Sequence, residues 1–177
     1  MNAYAIQTAS ITGVANEIFT GQGVIPLATG VISYAGAAAG GTVPYLGVFM
    51  GCKYTALDGT PTWSAYYPGT ASVKANTEVI GYIIDDPNQL FLINSDAAAA
   101  DGLVFANANF ATSVTGSTTS GYSAGELAVS TANTTASLNL RILGFEDSPS
   151  NDDATVAGRL AIVKLNVHFF NTATGIN

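Results

Sequence analysis

Arg159-Leu160-Ala161-Ile162-Val163-Lys164-Leu165-Asn166-Val167-His168-Phe169-Phe170 decides the fold class. Ala161, Val163, Leu165, Val167 and Phe169 alternate with Leu160, Ile162, Lys164, Asn166 and His168. A period of two belongs to a β-strand with one buried face, because successive Cβ atoms point to opposite sides of the pleat. The alternation places His168 on the polar face, beside Asn166 and Lys164. Residues 137–145 repeat the pattern, with Leu138, Leu140 and Ile142 on one side and Asn139 and Arg141 on the other.

Outward from these strands the chain falls into short runs separated by turn residues. Residues 23–27 and 31–34 flank Ala28-Thr29-Gly30 and read as a hairpin. Residues 43–50 read as a strand that Pro44 begins. Residues 53–56 and 63–67 flank the turn Asp58-Gly59-Thr60-Pro61, and 78–84 and 90–94 flank Asp85-Asp86-Pro87-Asn88-Gln89. Residues 126–130 make a further strand. The Gly/Ala run 35–42, the Ser/Thr/Gly run 112–125 and the polar run 148–157 read as loops. Helical periodicity is confined to Ser95-Asp96 and the four alanines that follow. One or two turns are expected near 96–101, capped by the Ser95 or Asp96 side chain and stopped by Gly102. The expected fold is all-β: a single-domain antiparallel β-barrel or β-sandwich over 21–177, preceded by an N-terminal arm over 1–20.

Composition narrows the function. Hydrophobic residues make up 48% of the 177 residues, against five basic residues, twelve acidic residues and one histidine. Enzymes at neutral pH need titratable groups held close together, and no such constellation can be assembled here. Cys52 is the only cysteine, which excludes an internal disulfide or a site of several thiolates. It reads as a small buried apolar residue. His168 has no second histidine to share a metal with. The acidic pairs Asp85-Asp86, Glu146-Asp147 and Asp152-Asp153 read as solvated turn residues, since neighbours on a strand point to opposite faces. Gly21-Gln22-Gly23 begins like a dinucleotide fingerprint, but Pro26 stands at the third glycine position and the context is β. No catalytic, metal or cofactor-binding residue is expected, and the protein is expected not to be an enzyme.

Lys53, Lys74, Arg141, Arg159 and Lys164 form no basic stripe, so no nucleic-acid partner is expected. The net charge is −7, which suits a soluble surface that avoids self-association. No basic residue precedes Lys53, so no secretory leader is expected. Residues 18–52 carry no charge, yet eight glycines, Pro26 and Pro44 break them up. A spanning helix needs ~20 consecutive apolar residues, so no membrane span is expected.

Two groups of residues remain as candidate contacts. Residues 1–44 carry one charge, Glu17, and include Ile6, Ile11, Val14, Ile18 and Phe19. Free tails are normally poor in apolar residues, so residues within 1–44 are expected to contact a neighbouring protein surface in an extended or β conformation. The 23–34 hairpin is the part expected to complete the chain's own barrel instead, which leaves 1–20, with these five, as the contacting part. Trp63, Tyr66 and Tyr67 suit a sugar-stacking platform or ordinary cross-strand packing.

Several short motifs occur in a recognisable order. Val48-Phe49-Met50-Gly51-Cys52-Lys53-Tyr54 is followed by Trp63, by Tyr67-Pro68-Gly69 and by Val79-Ile80-Gly81-Tyr82-Ile83-Ile84-Asp85-Asp86-Pro87-Asn88. Thr119-Ser120-Gly121-Tyr122-Ser123, Leu138-Asn139-Leu140-Arg141-Ile142-Leu143 and Val163-Lys164-Leu165-Asn166-Val167-His168 complete the set. Over residues 45–170 the chain resembles a family of tailed-bacteriophage virion proteins, the capsid decoration or cement proteins. The resemblance implies a non-enzymatic protein on the outer surface of the capsid, bound to the major capsid protein and stabilising the head. Ile6, Ile11, Val14, Ile18, Phe19, Trp63 and Tyr67 are then candidate capsid or oligomer contacts. A low-charge apolar surface and the closed symmetry of most homo-oligomers suggest a homotrimer near local three-folds, with a dimer second. The rival expectation is a carbohydrate-binding virion module for host attachment.

Overall fold

The computed structural model describes residues 1–6, 17–34, 44–111, 116–172 and 175. Among them strands account for 47% and helical turns for 6%, so the fold is all-β. The strands are β1 (Asn2–Ala5), β2 (Ile18–Phe19), β3 (Gly23–Pro26), β4 (Ile32–Tyr34), β5 (Gly47–Thr55), β6 (Pro61–Ser64) and β7 (Tyr66–Tyr67). There follow β8 (Ile80–Ile84), β9 (Phe91–Asn94), β10 (Asn107–Phe110), β11 (Leu127–Asn133), β12 (Leu140–Phe145) and β13 (Leu160–Leu165).

They form two antiparallel sheets. The first runs β1-β8-β5-β3-β4, with β6 also on β5; the second runs β11-β10-β12-β13-β9. A two-stranded ribbon pairs β2 with β7. Each sheet curls until its two ends meet at one parallel bridge. In the first sheet Ile6, just past β1, bridges Ile32 of β4; in the second Ser95, just past β9, bridges Leu127 of β11. One bridge is not a ladder, so neither sheet closes into a continuous barrel among the described residues.

Each curled sheet wraps its own core. The first holds Ile6, Ile18, Val24, Ile32, Leu46, Phe49, Cys52, Tyr67, Val73, Val79 and Ile83. The second holds Tyr45, Ala108, Leu127, Leu140, Ile142, Ala161, Val163 and Leu165. The Asp85–Gln89 turn joins one sheet to the other rather than closing a hairpin, since β8 pairs with β1 and β5 while β9 pairs with β13.

The hairpin expected at 23–34 is present as β3 and β4, with Val24 opposite Tyr34. Other expectations need correction. Residues 53–56 continue β5 instead of starting a new strand. The helical turn lies at Asp101–Leu103, so Gly102 sits inside it. Ser95 and Asp96 cap no helix: Ser95 Oγ accepts from the Arg159 N–H at 3.1 Å, and Asp96 Oδ1 from the Val129 N–H at 2.9 Å. Within the expected arm, residues 2–6 belong to the first sheet and Ile18 and Phe19 pair with Tyr67 and Tyr66. Ile11, Val14, the loop at 35–42 and the first part of the loop at 112–125 lie outside the described residues.

Candidate functional site

The two sheets interlock by exchanging side chains. Beyond β13 the chain returns to the first sheet, where His168 makes a parallel bridge to Tyr45. The Tyr45 N–H donates to the Val167 carbonyl at 3.0 Å, and the Phe169 N–H donates to the Tyr45 carbonyl at 2.8 Å. Tyr45 then sends its ring into the second core, while Phe169 packs on the first. A second link lies at Thr20, which bridges Tyr122 and accepts from the Ser123 N–H at 2.9 Å.

His168 belongs to this joint. Ala161, Val163 and Leu165 are buried as the alternation requires, but His168 is 1% exposed, so its expected polar-face position is wrong. The strand ends at Leu165 and the chain changes pairing partner, which resets the alternation. Nδ1 accepts from the Phe170 N–H at 3.2 Å, which leaves the proton of the neutral ring on Nε2. Among the described residues no group meets hydrogen-bond geometry with Nε2. Burial holds the imidazole below its ordinary pKa, against the opposing pull of Asp85, Asp86 and the Leu46 backbone.

Between the sheets lies a cleft of about 360 Å³. Tyr34, Tyr45 and Met50 line it from the first sheet, and Phe91, Phe110 and Leu165 from the second. No lining residue is charged. Leu92 and Tyr122, both exposed, stand in its lining.

The expected contact residues divide sharply. Ile6, Ile18, Phe19 and Tyr67 are buried in the chain's own structure, which leaves their side chains no free surface. The Phe19 ring stacks on Tyr66 at 5.4 Å. Trp63 alone of the described candidates is exposed, at 64%. It stands on β6 opposite Lys53, with its ring over Gly51. Tyr67 therefore shares no surface with Trp63, and of the three rings expected in a platform Tyr66 is the one stacked on Phe19. Leu57, on the adjoining turn, is also exposed. The composition gave no hint of Phe105, which is 77% exposed in a left-handed backbone conformation with φ 72°.

Several titratable groups serve local structure. Asp85 accepts from Asn2 Nδ2 at 2.7 Å and from the Tyr4 hydroxyl at 2.6 Å, tying β1 to the end of β8. Glu146 accepts from Ser148 Oγ, and Asp153 from the N–H and hydroxyl of Thr155. Arg159 is buried; it donates to the carbonyls of Ala99 and Asn151, pairs with Asp101 at 2.8 Å and lies 4.0 Å above the Phe145 ring. Cys52 is buried, and burial pushes its thiol up to about 12, far from the thiolate a nucleophile needs. Among the described residues no three His, Cys, Asp or Glu side chains gather as a metal site. No known protein family matches the chain, and no curated protein or solved structure matches it.

Proposed function

We propose that this protein is a capsid decoration, or cement, protein that binds the major capsid protein on the outer surface of a phage head and stabilises the shell. The observation that carries the proposal is the character of the surface. Trp63, Leu57, Leu92, Phe105 and Tyr122 stand exposed on a chain in which Glu146, Asp153 and Arg159 are engaged in local turns and packing. Large exposed apolar groups on a rigid body suit binding and not turnover. The ordered motifs over 45–170 supply the kind of partner. Repeated over many copies, a modest contact adds stability by mass action and avidity.

The carbohydrate-binding reading keeps one supporting feature, the exposed ring of Trp63 on the edge strand β6. A glycan-array signal lost on Trp63→Ala would favour it. The decisive test of decoration is a reconstruction of the intact particle. Density matching the two curled sheets on the outside of the shell, in contact with capsid subunits, is the expected result. The same density inside the head or on the tail would overturn the proposal.

A further inference from the structure

Phe105 combines two unfavourable properties. Its φ of 72° is a conformation that a bulky L-residue adopts rarely, because Cβ crowds the following carbonyl. Its ring is also left 77% exposed, so no burial within the chain offsets that crowding. The other described non-glycine residue at positive φ is Asn76, a type that tolerates the conformation. The backbone at 105 is needed: its N–H donates to the Ile142 carbonyl at 2.8 Å, and the Ile142 N–H donates to the Ala106 carbonyl at 3.0 Å. Glycine or asparagine would serve that turn with less strain. What phenylalanine adds is its ring, presented outward on a backbone pinned to β12.

The same molecule carries the complement. The inter-sheet cleft is uncharged, holds about 360 Å³ and is walled by aromatic and aliphatic side chains, with Leu92 and Tyr122 exposed beside it. It is large enough for a phenyl ring and has no ionic group that would need water. We infer that Phe105 of one copy seats in the inter-sheet cleft of a second copy. The knob and the hole are different patches, so the contact is head-to-tail. Such contacts close into rings or run on as chains, unlike a two-fold dimer that pairs like with like. One contact covers the exposed ring and the exposed apolar cleft together. The inference does not depend on the capsid reading.

Mass photometry and light scattering on the purified full chain test it. The wild type is expected to form a ring-sized oligomer as concentration rises. Phe105→Gly should be monomeric with a melting temperature no lower than the wild-type monomer, since strain is relieved and no core is lost. Leu92→Asp, at an exposed position, should also be monomeric while remaining folded by circular dichroism. A wild type that stays monomeric to its solubility limit overturns the inference. So does an oligomer that survives Phe105→Gly or Leu92→Asp.

Discussion

The first sheet bulges between Phe49 and Gly51 of β5, and the second between Ile142 and Gly144 of β12. Both strands are the middle member of a five-strand path, and both bulges end on a glycine. There the likeness stops. Gly51 has φ 137°, and a Cβ there would lie 2.9 Å from the Ser64 carbonyl oxygen and 3.1 Å from the Trp63 ring. Gly144 has an ordinary φ and nothing within 4 Å of an added Cβ. The first sheet thus needs glycine for its bend, and Trp63 roofs the bare backbone that results. Beside the second sheet's bend, polar side chains add to the apolar core. Asn151 accepts from the Leu160 N–H at 2.6 Å and donates to its carbonyl at 3.0 Å, a carbonyl that also accepts from the Glu146 N–H. Arg159 ties the same loop to Ala99. Both sheets wrap an apolar core; they differ at these bends, where the first relies on close backbone approach and the second is flanked by a loop tied down by buried side-chain hydrogen bonds.

The largest expected effect falls on the joint the sheets share. Tyr45→Ala removes a ring that is 2% exposed and should cost about 3–5 kcal/mol, as large-to-small core changes do. Urea unfolding should show it. Separate transitions by tryptophan fluorescence, which reports the first sheet, and by circular dichroism would mean that the ring is what couples the two units. A loss below about 1 kcal/mol would break the interlocking picture.

Arg159→Leu should cost the second sheet about 3 kcal/mol, because the Ala99 and Asn151 carbonyls lose a charged donor in a buried setting. Gly51→Ala should cost about 2 kcal/mol through strain and the Ser64 contact, whereas Gly144→Ala should stay within about 0.5 kcal/mol. Equal losses at the two glycines would erase the distinction between the bulges.

The pH dependence falls on both cores. Burial, together with the Asp85 hydrogen bond, pushes Tyr4 up to about 12, and burial takes Tyr67 and Cys52 to about 12 as well. All three belong to the first sheet and its core, and burial raises Tyr45 in the second core too. An unfolded chain would release these protons earlier, from about pH 9 for the thiol and about pH 10 for the phenols. Stability should therefore fall as pH rises from there toward 12. Tyrosinate absorbance should climb cooperatively with loss of circular dichroism, not as a simple titration near pH 10. At the acid end the folded His168 resists protonation, so stability present above about pH 6.5 should decline as pH falls below it. His168→Gln should flatten that decline. Smallest of all, Trp63→Ala should change stability by about 0.5 kcal/mol or less, because the ring is mostly solvated, while weakening capsid binding.

Much of the fold is legible in local pattern. The burial of Ala161, Val163 and Leu165 and the hairpin of β3 and β4 follow from alternation and turn chemistry. What alternation cannot carry is pairing between distant segments. The bridges Ile6–Ile32, Ser95–Leu127 and Tyr45–His168 curl and join the sheets, and each rests on one residue pair with no local signature. Alternation misplaces His168 for that reason, and Ser95 and Asp96 read as caps because their true partners lie 64 and 33 residues away. Of the candidate contacts, Trp63 is readable as an aromatic near a turn on an edge strand. The burial of Tyr67 depends on β2 closing over it, and the outward ring of Phe105 depends on a positive φ that no composition or spacing reveals.

The most direct measurement of a binding role without chemistry is a titration of the purified protein onto phage heads stripped of it, read as the temperature at which packaged DNA becomes accessible to dye. Saturable binding to the outer surface, with a rise in that temperature that levels off at full occupancy, is the predicted result. Heads that bind no protein, or that bind it and release DNA at an unchanged temperature, would contradict a cementing function.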